Sequence, residues 1–214
     1  MTFRFADAKL PNNSAYGVNL FWRATHECST ITLIILAVIA AYAIYMYNAL
    51  VKARQMVKEA WSGIDVQLKR RADLIPNLVE TVKGYASHEK ETLSNVTEMR
   101  TRAQAVPAGD IAGRAAAEGM LGQALGRLMA VAEAYPDLKA NTNFLELQEQ
   151  LGEIEGEVQM SRRYYNGSTR DLNVMVESFP SNFVASTFKF EKEEYFELEN
   201  PDDRKTPQVS FNKA

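Results

Sequence analysis

One run of residues limits every fold open to this chain. From Ile31 to Tyr47 the sequence holds aliphatic and aromatic residues with Thr32 between them, and no charge falls between Ser29 and Val51. At 1.5 Å per residue, about 21 residues of helix reach about 30 Å, the thickness of a hydrocarbon core. Phe21 and Trp22 precede the run, and Tyr42, Tyr45 and Tyr47 fall late in it. Aromatic rings favour the headgroup interface, so the placement fits a membrane span. A core helix this apolar on all sides would need a larger protein around it. Ala41-Tyr42-Ala43 resembles a signal-peptide cleavage site, with Arg23 as the positive flank. The run continues through Ile44 and Met46, too long for a signal core, so a retained anchor is expected.

The anchor divides the chain into a tail (1–28), a transmembrane helix (29–50), a helical bundle (51–190) and a C-terminal tail (191–214). Before Thr30, twenty residues carry one cation, Arg23; after Leu50, twenty carry five, Lys52, Arg54, Lys58, Lys69 and Arg70. The positive-inside bias predicts the tail outside and the bundle in the cytoplasm. The tail contains Pro11, Asn12, Asn13 and Ser14 and shows no clear period.

Beyond Leu50 the apolar residues recur at helical spacing. Val57, Trp61, Ile64, Leu68, Ile75, Leu78 and Val82 form one face, with Arg54 and Arg71 at intervening positions. Pro76 removes a backbone donor, yet the face keeps its register on both sides, which predicts one long, kinked helix. Ser87 is the expected cap of a second helix, with Glu89 and Glu91 in or near its first turn. Pro107-Ala-Gly-Asp110 reads as a turn with a new cap at Asp110. A third helix is expected to run to Tyr135-Pro136, with Gly119, Gly122 and Gly126 used for close packing. Asn141 or Asn143 caps a fourth, ending at Phe179-Pro180. The fold class is therefore all-α: an N-terminal transmembrane helix followed by a long antiparallel four-helix-type bundle with coiled-coil-like seams. Ile75, Leu78, Leu151 and Ile154 are expected in its core.

Chemistry is hard to find in this pattern. His26 and His88 are the only histidines, and neither has the Glu-x-x-His spacing of a bundle metal site. Cys28 stands alone, which excludes an intrachain disulfide and a cysteine zinc site. From Val51 onward, 21 Lys and Arg face 25 Asp and Glu, so there is no basic excess for nucleic acid to neutralise. The carboxylates of the fourth helix, Glu146 to Glu157, mostly avoid the seam and read as a solvated face. Lys69-Arg70-Arg71 is expected to form salt bridges within the bundle. No catalytic residue, cofactor or metal is assigned.

Two surfaces are candidates for binding. Lys52, Arg54 and Lys58 lie just past the anchor and are candidate contacts to membrane lipid headgroups. The first and fourth helices are longer than those between them. That leaves Leu50, Val57, Leu172, Val176 and Phe179 as a candidate interface, with Arg54, Arg162, Arg163 and Arg170 pairing between copies with Asp171 or Glu177. Small residues in the anchor, such as Ala37, Ala40 and Ala41, favour close approach of spans. A homo-oligomer is expected. Phe183, Val184, Phe188 and Phe190, beyond the fourth helix, are expected near the bilayer, on the bundle base or in the interface; the acidic run of Glu191, Glu193, Glu194 and Glu197 argues against deep insertion and favours packing on the bundle.

Several motifs in order carry a resemblance. Glu59-Ala-Trp-Ser-Gly-Ile-Asp begins a stretch continuing through Arg71-Ala-Asp-Leu-Ile-Pro-Asn77 to Glu91. Asn143-Phe-Leu-Glu-Leu-Gln-Glu-Gln-Leu151, Arg163-Tyr-Tyr-Asn166, Phe179-Pro-Ser-Asn182 and Tyr195-Phe-Glu197 follow. Together, over about Tyr47 to Phe211, the chain resembles the LemA family. The resemblance implies a bacterial membrane protein with an N-terminal anchor and a mostly helical domain, some members being associated with shaping internal membranes. It implies no enzymatic activity, cofactor or catalytic residue. The expected function is a non-enzymatic, membrane-anchored scaffold or protein-interaction module in the bacterial plasma membrane. The alternative is an accessory subunit that recruits or regulates a membrane protease or transporter.

Overall fold

The computed structural model describes residues 14–107 and 109–197, with side chains from residue 29 onward. The expectations for residues 1–13 and 198–214 lie outside the described residues. The architecture is all-α, with no strand among the described residues. Its helices are α1 (Ser14–Tyr85), α2 (Lys90–Ala105), α3 (Ile111–Ala132), α4 (Pro136–Lys139), α5 (Thr142–Glu177) and α6 (Ser181–Thr187). The chain divides into two compact units, residues 1–49 and 50–214.

The first unit holds the apolar run. Every Leu, Ile and Val from Ile31 to Ile44 is at least 53% exposed. This stretch of α1 is long and apolar enough to cross a membrane, and its most apolar window is not buried. Helix already begins at Ser14, where the sequence showed no period.

In the second unit α1 runs unbroken through Pro76 to Tyr85. Proline has no N–H to give to the carbonyl four residues back, and an unmet buried carbonyl is costly. That carbonyl belongs to Ala72, which is buried. It accepts instead from Arg100 Nε of α2 at 2.7 Å. A side chain of the neighbouring helix thus replaces the missing rung.

Two apolar clusters form the core. In the first, Ile75, Leu78 and Val82 of α1 pack with Leu93 and Val96 of α2, Leu121 and Leu128 of α3, and Phe144 and Leu151 of α5. This is the expected four-helix bundle. In the second, Leu50, Val57 and Ile64 of α1 pack with Ile154, Tyr165 and Leu172 of α5. Trp61 of α1 meets Tyr165 of α5, and Arg71, ten residues later, meets Glu155, ten residues earlier, so α1 and α5 run antiparallel. The third side of this cluster is closed by Ala185 of α6 and by Phe190 and Phe196 of an extended segment. Ile75, Leu78, Leu151 and Ile154 are all buried, as expected.

The caps agree in part. Asp110 caps α3 by accepting from the Gly113 N–H at 2.8 Å, and a Cβ at Gly113 would overlap that carboxylate. Gly109 has φ +101°, open to glycine at no steric cost. Asn141 caps α5 through the Phe144 N–H at 3.0 Å. Ser87, however, lies in the turn and caps nothing; α2 starts at Lys90 without a side-chain cap. The Glu89 carboxylate accepts from the Tyr135 hydroxyl at 3.1 Å instead. α3 stops at Ala132, and the short α4 takes up Pro136 at its first position. The Phe179–Pro180 peptide is cis.

Candidate functional site

Two buried charged residues of the second unit, Arg71 and Glu118, meet where α1, α3 and α5 face one another. Arg71 Nη2 donates to the Glu118 carboxylate at 2.6 Å, and both side chains are almost wholly buried. Arg71 Nη1 donates to Glu155 at 2.8 Å, on the half-exposed side of the cluster. Arg114 stands beside Glu118, with its Nε 3.4 Å from the carboxylate, and donates to Asp65 at 2.8 Å. It also bonds the Ala103 carbonyl at 3.0 Å. Charges this deep persist only when paired and hydrogen-bonded. The expected role of Arg71 is therefore met. Glu155 leaves the solvated row to which it was assigned. Sequence reasoning missed Arg114 and Glu118, although they precede Leu121 and Leu125 on the same helical stripe.

Beside this cluster lies a groove of about 910 Å³ between α3 and α5. Gly119, Gly122 and Gly126 of α3 line it opposite Gly152 of α5, with Leu125 and Met129 as apolar wall. A Cβ built at Gly122, Gly126 or Gly152 meets nothing within 4 Å. The expectation that the α3 glycines serve close packing inside the bundle is thus corrected for Gly122 and Gly126, which face open space. Arg162 belongs to this groove and to a second, smaller hollow of about 580 Å³ beside Arg163, Arg170 and Tyr195.

The extended segment is held by two asparagines two turns apart on α5. Asn173 donates to the Glu193 carbonyl and accepts from the Glu193 N–H, both at 2.9 Å. Asn166 does the same with Phe196, at 3.2 and 2.9 Å. Each carboxamide thereby acts as a strand partner for one residue of the segment. Between them the Tyr165 hydroxyl donates to the Glu194 carbonyl at 2.8 Å. Burial pushes the Tyr165 phenol above its ordinary range; the Glu193 and Glu194 carboxylates add to this, against an opposing effect of the Thr169 hydroxyl. Trp61 meets the rings of Tyr165 and Phe196 edge-on at 5.5 and 5.7 Å.

This segment alters the candidate interface. Leu50, Val57 and Leu172 are buried within the chain and Val176 is half-buried; of the five, only Phe179 is exposed. The expected uncovered row fails because α6, Phe190 and Phe196 fill the space left by the shorter helices. The expected partners of the arginines are also met internally. Arg170 lies 3.1 Å from Asp171, and Glu177 accepts from Lys192 at 2.7 Å. Among the lipid-contact candidates, Lys52 and Lys58 are exposed. The half-buried Arg54 instead lays its guanidinium 4.8 Å from the centre of the Phe190 ring, a cation–π contact.

The sequence model of the LemA family matches residues 60–211. Magnetosome protein MamQ 2 of Paramagnetospirillum magneticum is 27% identical, over 80% of this chain and 72% of its own length. Magnetosome protein MamQ of Magnetospirillum gryphiswaldense is 28% identical, over 76% and 70%. Protein LemA of Metamycoplasma hominis is 28% identical, over 64% and 63%. With most of its length matched, and with the family's motifs meeting around Trp61, Tyr165 and Phe196, the chain belongs to the LemA family.

Proposed function

We propose that this protein is a non-enzymatic, membrane-anchored binding module whose α3–α5 groove receives a segment of a partner protein. The apolar helix holds it at the bilayer, with residues from Leu50 onward in the cytoplasm. The excess of cations just after the run supports that orientation. Neither the family description nor the relatives' names is that of an enzyme.

The observation that carries the reading is the open glycine lining. Helical glycine lowers stability relative to alanine, and among the described residues nothing fills the space a side chain would take at Gly122, Gly126 or Gly152. Such a surface lets a second backbone come close, and Leu125 and Met129 add apolar contact. In its scaffold form the partner is a second copy of this chain; in its accessory form it is a different membrane protein.

A photo-crosslinking residue placed at 122 or 126 of the full chain, in native membranes, tests this. The reading expects a discrete crosslinked product from both positions and none from an exposed control such as Ser94. A product of twice the chain mass selects the scaffold form, and a fixed heterologous product the accessory form. Equal, diffuse labelling at all three positions would reject the groove as a binding surface.

A further inference from the structure

The short helix α6 packs one side against the second cluster and, with its flanking residues, exposes aromatic rings elsewhere. Ser181 and Ala185 are buried on one side, where Ala185 joins the cluster of Leu50 and Leu172. Phe183 is exposed on the opposite side at 65%, and the flanking Phe179 and Phe188 are exposed at 78% and 55%. Phe179 and Phe183 meet edge-to-face with ring centres 6.0 Å apart, so they form one apolar patch.

The position of this patch in its own unit is informative. Ala185 shares a cluster with Leu50, which follows the apolar run after Asn48 and Ala49. The patch thus belongs to the end of the second unit from which the anchor emerges. Of the acidic residues that follow, Glu191 is exposed next to Phe190 at this end, whereas Glu193 and Glu194 are carried away from it. From Phe190, beside Arg54, the segment climbs to Phe196, beside Trp61, seven residues or about 10 Å further along α1. Glu193 and Glu194 are fixed on α5 along that climb. Glu177, at the α6 end, is neutralised by Lys192. Lys189, Lys52 and Lys58 are exposed cations of the same end.

We propose that α6 is an interfacial foot whose Phe179, Phe183 and Phe188 enter the headgroup–acyl boundary of the bilayer that the apolar run crosses. The proposal rests on the reading of that run as an anchor. Phenylalanine suits the task, since its ring is large and apolar and has no polar group to satisfy. Immersion to about 5–10 Å, the usual depth of an interfacial helix, would take the rings out of water and leave the lysines at the headgroups.

The test uses the full chain with Cys28→Ser, reconstituted in phosphatidylcholine–phosphatidylglycerol vesicles. Single spin labels are attached at Phe183→Cys, Phe188→Cys, Ile39→Cys and Ser94→Cys. All four sites are exposed, so the core is untouched. Accessibility to oxygen, which favours lipid, is compared with that to a water-soluble nickel chelate. The proposal expects positions 183 and 188 to favour oxygen, at a depth shallower than 39, while 94 favours the chelate. If 39 is in lipid and 183 and 188 behave like 94, the anchor stands and the foot is wrong. Shielding of 183 and 188 from both reagents would overturn it in favour of a protein contact, such as a second copy. If 39 also favours the chelate, the anchor reading falls and the foot with it.

Discussion

At the scale of single residues, stability turns on charges and hydroxyls that the core has enclosed. Glu118 is the sharpest case. Removing one partner of a buried ion pair leaves the other uncompensated, so Glu118→Ala is expected to cost about 3 kcal/mol or more. Glu155, bonded to the same Arg71 but with a half-exposed side chain, should cost about 1 kcal/mol or less when changed to Ala. Chemical denaturation of the full chain in mild detergent, followed by helical circular dichroism, measures both; equal losses would contradict the account. Tyr165 makes a pH-dependent contribution. Its folded-state pKa is raised above the ordinary 10.0, so the protonated phenol is favoured by folding. The stabilisation is complete below the ordinary value and is lost as pH rises through the folded one. Spectrophotometric titration at alkaline pH should therefore show one fewer late-ionising tyrosine in Tyr165→Phe, with Tyr135, raised by its hydrogen bond to Glu89, remaining. Arg71 was legible because a cation standing on an apolar stripe must be paired. Glu118 and Arg114 carry the same signature on α3, but they stand before the leucines that define its face, in a stretch rich in alanine and glycine where the stripe is faint.

At the scale of elements, α1 and α3 each break a local rule and differ in how the break is resolved. Pro76 is tolerated because Arg100 supplies the missing donor to Ala72. Arg100→Ala is expected to cost about 1.5–3 kcal/mol, as for a hydrogen bond to a charged group. In a Pro76→Ala background the amide at position 76 serves Ala72, and the same change should cost much less. A double-mutant cycle reads the difference as coupling, and simple additivity would refute the substitution of one donor by the other. The glycines of α3 have no such relief. With open space at each Cβ position, Gly122→Ala and Gly126→Ala should each stabilise the chain by about 0.5–1 kcal/mol. A loss of stability would restore the packing role that the spacing suggested. Helix type and order were legible because the apolar period is long and the caps at Asp110 and Asn141 obey local chemistry. Ser87 misled because a capping residue matters only where the chain turns into helix, and the Tyr135 contact draws Glu89 into that place. The glycines misled because a sequence records a missing side chain without recording what faces it.

At the scale of the whole second unit, the sequence showed two long helices outrunning two short ones but not what fills the gap. The filler is irregular: a seven-residue helix and an extended segment whose apolar residues have no helical period. Its anchoring groups, Asn166 and Asn173, each follow a seam residue of α5 and look like surface polar positions until the segment is in place. Phe196 is fully buried between α1 and α5. Phe196→Ala is expected to cost about 3–5 kcal/mol. Hydrogen exchange should show the loss chiefly around Val57–Leu68 and Val158–Leu172, with the Leu78–Leu128 cluster protected as before; uniform loosening would mean that the two clusters are one. The closing of this seam by a late segment also sets a timetable. Leu50 is synthesised about 140 residues before Phe190, an interval of roughly 7–28 s at ~5–20 residues per second. Through most of it, the first half of the seam has emerged without its partners, since the α5 residues Ile154 to Leu172 are made late in the interval and Phe190 at its end. For that interval the apolar seam of α1 is a nascent surface that only the later residues of the same chain complete.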